Sequence, residues 1–396
     1  MRILIATGIY PPDIGGPATY TFLLENELPN KGFKVGVLAF TKYRKMPKII
    51  RHLAYFFRCL LLAKNYDIIY AQDPVSVGLP AMLAAKLSGR KFVIRVAGDY
   101  AWEQAAQRFG VKDNIDDFQH ANSVPPVKAS GNANAPMRMK KYPWQVRLLI
   151  KIQKFVVGKA DLVITPSNYF RELVSKWTIN PEKVKTIYNG VDLNMGGYGN
   201  WIRWKPQPSV SRIVSAGRLV PWKGFDKLIE FMVDLPDWQL VIIGDGPEMN
   251  NLKQLIANLK LESRVQLTGM VPRKELLEKY LKGADACIFA LNTSFESFSF
   301  QVVEAMNAGI PVIATRIGNL GEIITNNHNG ILIEPNNKEE FLRAVMKIAS
   351  NQKFRENLSM NAQVRAKDFS IENTIDNLVK LLSANNPSSK TQKLFP

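Results

Sequence analysis

The 396-residue chain has only two cysteines and three histidines. Cys59 and Cys287 lie far apart in apolar surroundings, with neither the spacing of a metal-binding pair nor the density of a disulfide framework. That usage fits a reducing compartment such as the cytoplasm. No run approaches the roughly 18 apolar residues of a membrane span, and the opening MetArgIleLeuIleAla is too short for a signal-peptide core. The expectation is a protein neither exported nor threaded through a bilayer. A dinucleotide-binding glycine fingerprint is also missing. Gly15-Gly16 and GlyAspGlyProGlu (244–248) each lack the third glycine, which disfavours a nicotinamide dehydrogenase. No acidic pair stands out as an essential metal site, so neither a cofactor nor a metal is expected.

Acid is missing altogether between Glu27 and Asp67, where Lys31, Lys34, Lys42, Arg44, Lys45, Lys48, Arg51, Arg58 and Lys64 interleave with Ile49, Ile50, Leu53, Phe56, Phe57, Leu60 and Leu61. The net charge of +18 is concentrated accordingly: residues 1–190 hold 28 Lys and Arg against 13 Asp and Glu. Cations flanking an apolar, aromatic helical stretch point to an anionic lipid surface, with Lys42, Arg44, Lys45, Lys48, Arg51 and Arg58 as the contacts. A helix packed on a sheet with its charges in water is the alternative. No nucleic-acid module accompanies the charge, so no nucleic-acid partner is expected.

What is present is repetition. Continuous β-branched runs at 2–6, 34–39, 67–71, 91–96 and 161–166 read as buried parallel strands with helices between them, such as 19–28. After TyrAsnGlyValAsp (188–192) the pattern breaks in a Gly- and Pro-containing stretch, then restarts with strands at 211–216, 239–244, 264–268, 286–290 and 311–314. The fold class is therefore α/β, with two Rossmann-like doubly wound domains facing across a cleft. The expected bounds are 1–193 for the first domain, 194–210 for a linker and 211–369 for the second. An amphipathic helix follows at about 370–383, and 384–396 is a disordered tail. Residues 120–139, polar and Pro/Gly-containing, read as a mobile loop.

Three segments carry candidate chemistry. Gly15 and Gly16 stand in the first strand-to-helix turn, where backbone amides can approach an anion, although a purely structural turn explains the pair equally well. GlyArgLeuValProTrpLysGly (217–224) follows the first strand of the second domain, placing Arg218 and Lys223 where two cations can neutralise adjacent phosphates. Glu296 and Glu304 flank a helix start near Ser299, so a first turn of amides and two acids can seat phosphate and hydroxyls together. On spacing alone, an ordinary loop with two solvated acids remains the alternative.

These motifs taken in order, with AlaAspLeuValIleThrProSer (160–167), AsnGlyValAsp (189–192), GluAlaMetAsnAlaGlyIleProValIleAla (304–314) and AsnGlyIleLeuIleGluPro (329–335), resemble the retaining GT-B glycosyltransferases of family 4, the glycogen-synthase-like group. The resemblance implies a hexosyl transfer from a UDP- or GDP-sugar to a glycan or lipid-linked acceptor in surface polysaccharide or glycolipid assembly. It casts Arg218 and Lys223 as ligands of the donor diphosphate, Glu304 as holding the ribose hydroxyls, and Glu296 as facing the donor sugar. Amides of Phe298, Ser299 and Phe300 would approach sugar and phosphate, and Gly15 and Gly16 would close over the diphosphate. Two departures stand out. Ser297 and Ser299 replace the usual glycines, and no histidine follows the fourth strand, leaving Asp99 as the nearest polar candidate for catalysis, with a helix cap as its alternative. The expected location is the inner face of the cytoplasmic membrane. Rival readings are a non-catalytic nucleotide-sugar or anionic-lipid binding protein and a glycosidase, for which the cation pair has no task.

Overall fold

The computed structural model describes residues 1–13, 15–123, 142–193, 211–272, 287–293 and 295–384. The expected linker at 194–210 and all but the first residue of the expected tail lie outside them. So does most of the expected 120–139 loop. Its first residues, however, continue the helix Ile115–Ser123, opened by Asn114, whose side-chain carbonyl accepts the Asp117 amide at 2.8 Å.

Contacts divide the chain into two units: Met1–Tyr188 with the residues from Ile375 onward, and Asn189–Thr374. The first division falls before AsnGlyValAsp rather than after it. Val191 exchanges backbone hydrogen bonds with Phe369 and Ile371, and a Cβ on Gly190 would stand 2.6 Å from the Ile371 Cα. The motif is thus the second unit's clasp on the C-terminal segment. The helix Ile371–Ala384 starts in the second unit and ends in the first, where Asp376 pairs with Lys31 at 2.7 Å.

The first unit is a six-stranded parallel sheet, β1 (Arg2–Thr7), β2 (Lys34–Ala39), β3 (Ile68–Ala71), β4 (Lys91–Arg95), β5 (Leu162–Thr165) and β6 (Val184–Thr186), in the order 2-1-3-4-5-6. The second repeats the design with β7 (Ser211–Ala216), β8 (Trp238–Ile243), β9 (Val265–Leu267), β10 (Cys287–Leu291), β11 (Val312–Thr315) and β12 (Ile331–Ile333), in the order 12-11-10-7-8-9. Strands covered on both faces must be apolar throughout, and all four residues of β3, β5 and β11 are buried. β6 and β12 are edge strands of three residues, too short for a run-based signal.

The helix Lys48–Ala63 shows how the basic segment is used. Tyr55, Cys59 and Ala63, spaced four apart, are fully buried, and the helix packs on its neighbour Gly78–Leu87. Ile50, Leu53, Phe57 and Leu61 form a second apolar stripe that faces out, 54%, 51%, 57% and 62% exposed. Leu83 and Leu87 of the neighbouring helix are exposed as well. No described helix is long and apolar enough to cross a membrane.

Candidate functional site

In the second sheet the strand order reverses between β7 and β10, and open α/β sheets bind their ligands at the carboxyl ends of such a pair. The loop after β7 carries Arg218 and Lys223; the loop after β10 carries Glu296. Sequence spacing alone does not bring these together, but adjacency of the two strands does.

The loop after β7 is clamped from both sides. On one side the Leu219 amide donates to the Asp245 carbonyl at 3.0 Å, and the Glu248 amide donates to the Leu219 carbonyl at 3.1 Å. On the other, the Thr293 hydroxyl donates to the Trp222 carbonyl at 2.9 Å and accepts the Phe295 amide at 3.2 Å. Gly224 closes the loop in the left-handed region at φ 62°, and a Cβ there would stand 1.9 Å from the Asn292 carbonyl. That glycine is demanded twice, by its backbone angle and by close approach.

Within this frame the Lys223 ammonium donates to the Glu296 carboxylate, both side chains being largely withdrawn from water. Arg218 is exposed, and its guanidinium has no partner among the described residues. Ser299 caps the helix Phe300–Asn307, its hydroxyl accepting the Val302 amide at 3.4 Å. The hydroxyl is therefore committed to the helix, while amides earlier in the first turn have no intrahelical acceptor. Glu304 is buried in the second turn. The Phe298 side chain serves packing, with its ring 5.5 Å from Phe300 and 5.7 Å from Phe369. A lysine–glutamate pair, an unpartnered arginine and a capped helix start thus meet at one sheet edge, a combination suited to a polyanion that also carries hydroxyls.

The remaining sequence candidates lie in the first unit. Gly15 and Gly16 open the helix Gly16–Glu27; no atom stands within 4 Å of a Cβ built on Gly16, so packing does not require glycine there. Asp99 is fully buried and caps the helix Tyr100–Phe109, accepting the Trp102 amide at 3.1 Å, the Gln153 side-chain amide at 2.9 Å and that of Gln119. Burial pushes its carboxyl up, against the opposing pull of those donors. The cap is the role its contacts show. Gln153 and Gln119 cannot turn to serve a different partner, because their oxygens accept the Ala101 amide and the Trp177 indole. Asp99→Asn would bring an amide NH₂ against another, so we expect a loss of about 1–3 kcal/mol, the cost of a buried donor left unmade. Urea unfolding of the variant measures it, and an unchanged midpoint would contradict the cap.

Comparison with known proteins extends this description. Residues 14–195 match the family model described as Glycosyltransferase Family 4, and residues 204–365 match Glycosyl transferases group 1. The chain belongs to the group 1 glycosyltransferases of the GT-B type. Among relatives it is 30% identical over 227 residues to an uncharacterized glycosyltransferase of Methanocaldococcus jannaschii, covering 56% of this chain and 59% of that protein. It is 24% identical over 308 residues to the UDP-Gal:alpha-D-GlcNAc-diphosphoundecaprenol alpha-1,3-galactosyltransferase of Escherichia coli, covering 74% and 69%. The match to the first of these thus spans about three fifths of its length. Anabaena HepE, solved with UDP-glucose, superposes with a TM-score of 0.70 at 19% identity, covering 97% of this chain and all of that one.

Thr293 and Asn292, which hold the site loops, were not among the sequence candidates. Both act through contacts with residues distant in sequence, and neither belongs to a pattern of spacing that would have singled it out.

Proposed function

We propose that this protein transfers a hexosyl group from a UDP- or GDP-sugar to a lipid-linked or glycan acceptor, with retention of anomeric configuration. The observation that carries the proposal is the meeting of Lys223, Glu296, Arg218 and the Ser299-capped helix at the strand-order reversal of the second sheet. As the bond from the anomeric carbon to the diphosphate breaks, negative charge grows on the leaving group. Lys223 and Arg218 stabilise that charge in place, assisted by first-turn amides, so the chemistry asks for no metal. Glu296 holds the ammonium in position and turns toward donor hydroxyls, while Glu304 takes the ribose.

The relatives' names support the donor and acceptor classes, since one uses UDP-Gal with a diphosphoundecaprenol acceptor and a GT-B neighbour was solved with UDP-glucose. The rival glycosidase reading gives the cations no part. Purified protein incubated with UDP-, GDP- and ADP-sugars and lipid extracts tests the proposal: sugar transfer with nucleotide diphosphate release supports it. Hydrolysis of glycosides without any nucleotide effect would sink it.

A lipid-linked acceptor requires contact with a membrane. We place that contact on the exposed stripe Ile50, Leu53, Phe57 and Leu61 with its flanking cations. Each cation near an anionic surface contributes about 1 kcal/mol, and each apolar side chain withdrawn from water adds to it. Phe57→Glu with Leu61→Glu changes exposed side chains only, so the fold should persist while sedimentation with phosphatidylglycerol vesicles falls at least about tenfold, equivalent to about 1.4 kcal/mol. Undiminished sedimentation would remove the stripe from the interface.

A further inference from the structure

The first sheet has its own strand-order reversal, between β1 and β3, and the turn that follows β2 starts at its carboxyl edge. β2 ends at Ala39, so the next residues and the first turns of the helix Lys48–Ala63 begin there. Two neighbouring side chains of that helix face the edge. The Arg51 guanidinium stands 5.7 Å from the centre of the Phe40 ring, and the His52 imidazole stacks on the same ring at 4.9 Å.

Neither side chain is matched by an acid of its own among the described residues. Arg51 has no ion pair or side-chain hydrogen bond among the described residues, and its Nε is buried without a partner. A buried guanidinium nitrogen left unmade is costly. The carboxylate that acts on His52, Asp73, is already spent. Asp73, just beyond β3, is half-buried and accepts the amides of Val75 at 2.9 Å, Ser76 at 2.6 Å and Val77 at 3.3 Å, as well as the Ser76 hydroxyl at 2.7 Å. The imidazole lies against the Ser76 carbonyl, so one ring nitrogen is directed there. Burial, then the Arg51 charge, holds the His52 pKa below its ordinary range despite the opposing pull of Ser76 and Asp73. Tyr100, opening the helix after β4, lies within electrostatic reach of both Arg51 and Asp73 and marks the far side of the same edge.

We infer that Arg51 and His52 form a binding site for the phosphate group of the acceptor. This deepens the reading of the protein as a transferase with a lipid-linked acceptor and rests on it. A guanidinium offers two parallel donors to phosphate oxygens, and a neutral imidazole offers one. Ile50 and Leu53, which flank the pair in sequence, belong to the outward stripe, whereas His52 falls on the helix face of Tyr55 and Cys59. The chemistry shared by all candidate ligands is a phosphate ester or free phosphate at the carboxyl edge of the first sheet.

Three probes separate the sources: a polyprenyl monophosphate in uncharged detergent micelles, phosphatidylglycerol vesicles, and inorganic phosphate. Full-length protein and the Arg51→Met/His52→Gln double variant are titrated with each, and UDP binding is measured in parallel. The expected result is a loss of about tenfold or more for polyprenyl phosphate in the double variant, with UDP affinity unchanged and with partial recovery in Arg51→Lys. Equal loss for inorganic phosphate assigns the site to phosphate as such, and loss confined to vesicles assigns it to the bilayer headgroup. Parent and double variant binding all three probes alike, or a parent that binds none, overturns the site. Because no sugar transfer enters the measurement, its failure is distinct from failure of the transferase reading.

Discussion

Lys223→Ala should lower sugar turnover by about 10²–10³-fold, the usual consequence of removing one preorganised group that stabilises charge in the transition state. The structure supports both the size of the effect and its cleanliness. The Lys223 ammonium is largely withdrawn from water and faces Glu296, so it acts where electrostatic interactions are little screened. The loop that carries it is held by backbone bonds from Asp245 and Glu248 and by the Thr293 hydroxyl, none of which uses the lysine side chain. Folding should therefore survive the substitution, although Glu296 loses its partner. Lys223→Arg keeps a charge but lengthens and flattens it, and should recover only part of the activity. Steady-state kinetics on the folded variants check this, and near-parental turnover in Lys223→Ala would remove the lysine from the mechanism.

Gly224→Ala should have the largest effect on stability. The residue occupies the left-handed region, which costs a non-glycine residue about 1–2 kcal/mol, and its Cβ would overlap a backbone carbonyl that has no room to retreat. The Asn292 carbonyl belongs to the segment at the end of β10, where the Asn292 side chain is bound to Asn336. Relief of the overlap must separate the loop bearing Lys223 from the loop bearing Glu296. The expected loss is about 4 kcal/mol or more, in the range that marks a specific structural conflict, accompanied by loss of nucleotide binding. Chemical unfolding provides the first readout and titration with UDP the second. Gly16→Ala is the contrast, since packing leaves space for its Cβ and stability should barely change.

The difference between these glycines shows what could be seen in advance. Both stand in Gly-containing turns after a first strand, and in the sequence they look alike. Only the fold reveals that Gly224 is pressed against a loop some 70 positions away, as the Trp222 to Thr293 bond illustrates with its separation of 71. Strand runs such as 2–6 and 91–96 fell on β1 and β4 because central parallel strands are covered on both faces and so are largely apolar. The short edge strands β6 and β12 carry too little of that signal. The helix start at Ser299 was legible because capping is local chemistry, and for the same reason so was the cap at Asp99.

Charge patterning was legible as a total and not as a surface. The acid-free stretch announced a basic face, but its apolar residues serve two opposite purposes on one helix. Tyr55, Cys59 and Ala63 go inward and Ile50, Leu53, Phe57 and Leu61 go outward, a division fixed by how the helix rolls on its neighbour. His52 lies far in sequence from the fourth strand, after which no histidine follows. In the folded unit it stands at the same carboxyl edge, brought there by the turn that follows β2. Arg44 likewise reaches Asp13 in the turn after β1, at 3.4 Å across 31 positions, tying the basic segment to the glycine turn.

The central claim is that the edge formed by Lys223, Arg218, Glu296 and Glu304 is a nucleotide-sugar donor site. Isothermal titration of the purified chain with UDP and GDP tests it most directly. The account predicts one-site binding of at least one of these diphosphates, weakened by about tenfold or more in Lys223→Ala and in Glu304→Ala, with uridine and guanosine binding far more weakly than their diphosphates. Absence of binding by either nucleotide, or binding that both substitutions leave unchanged, would contradict it.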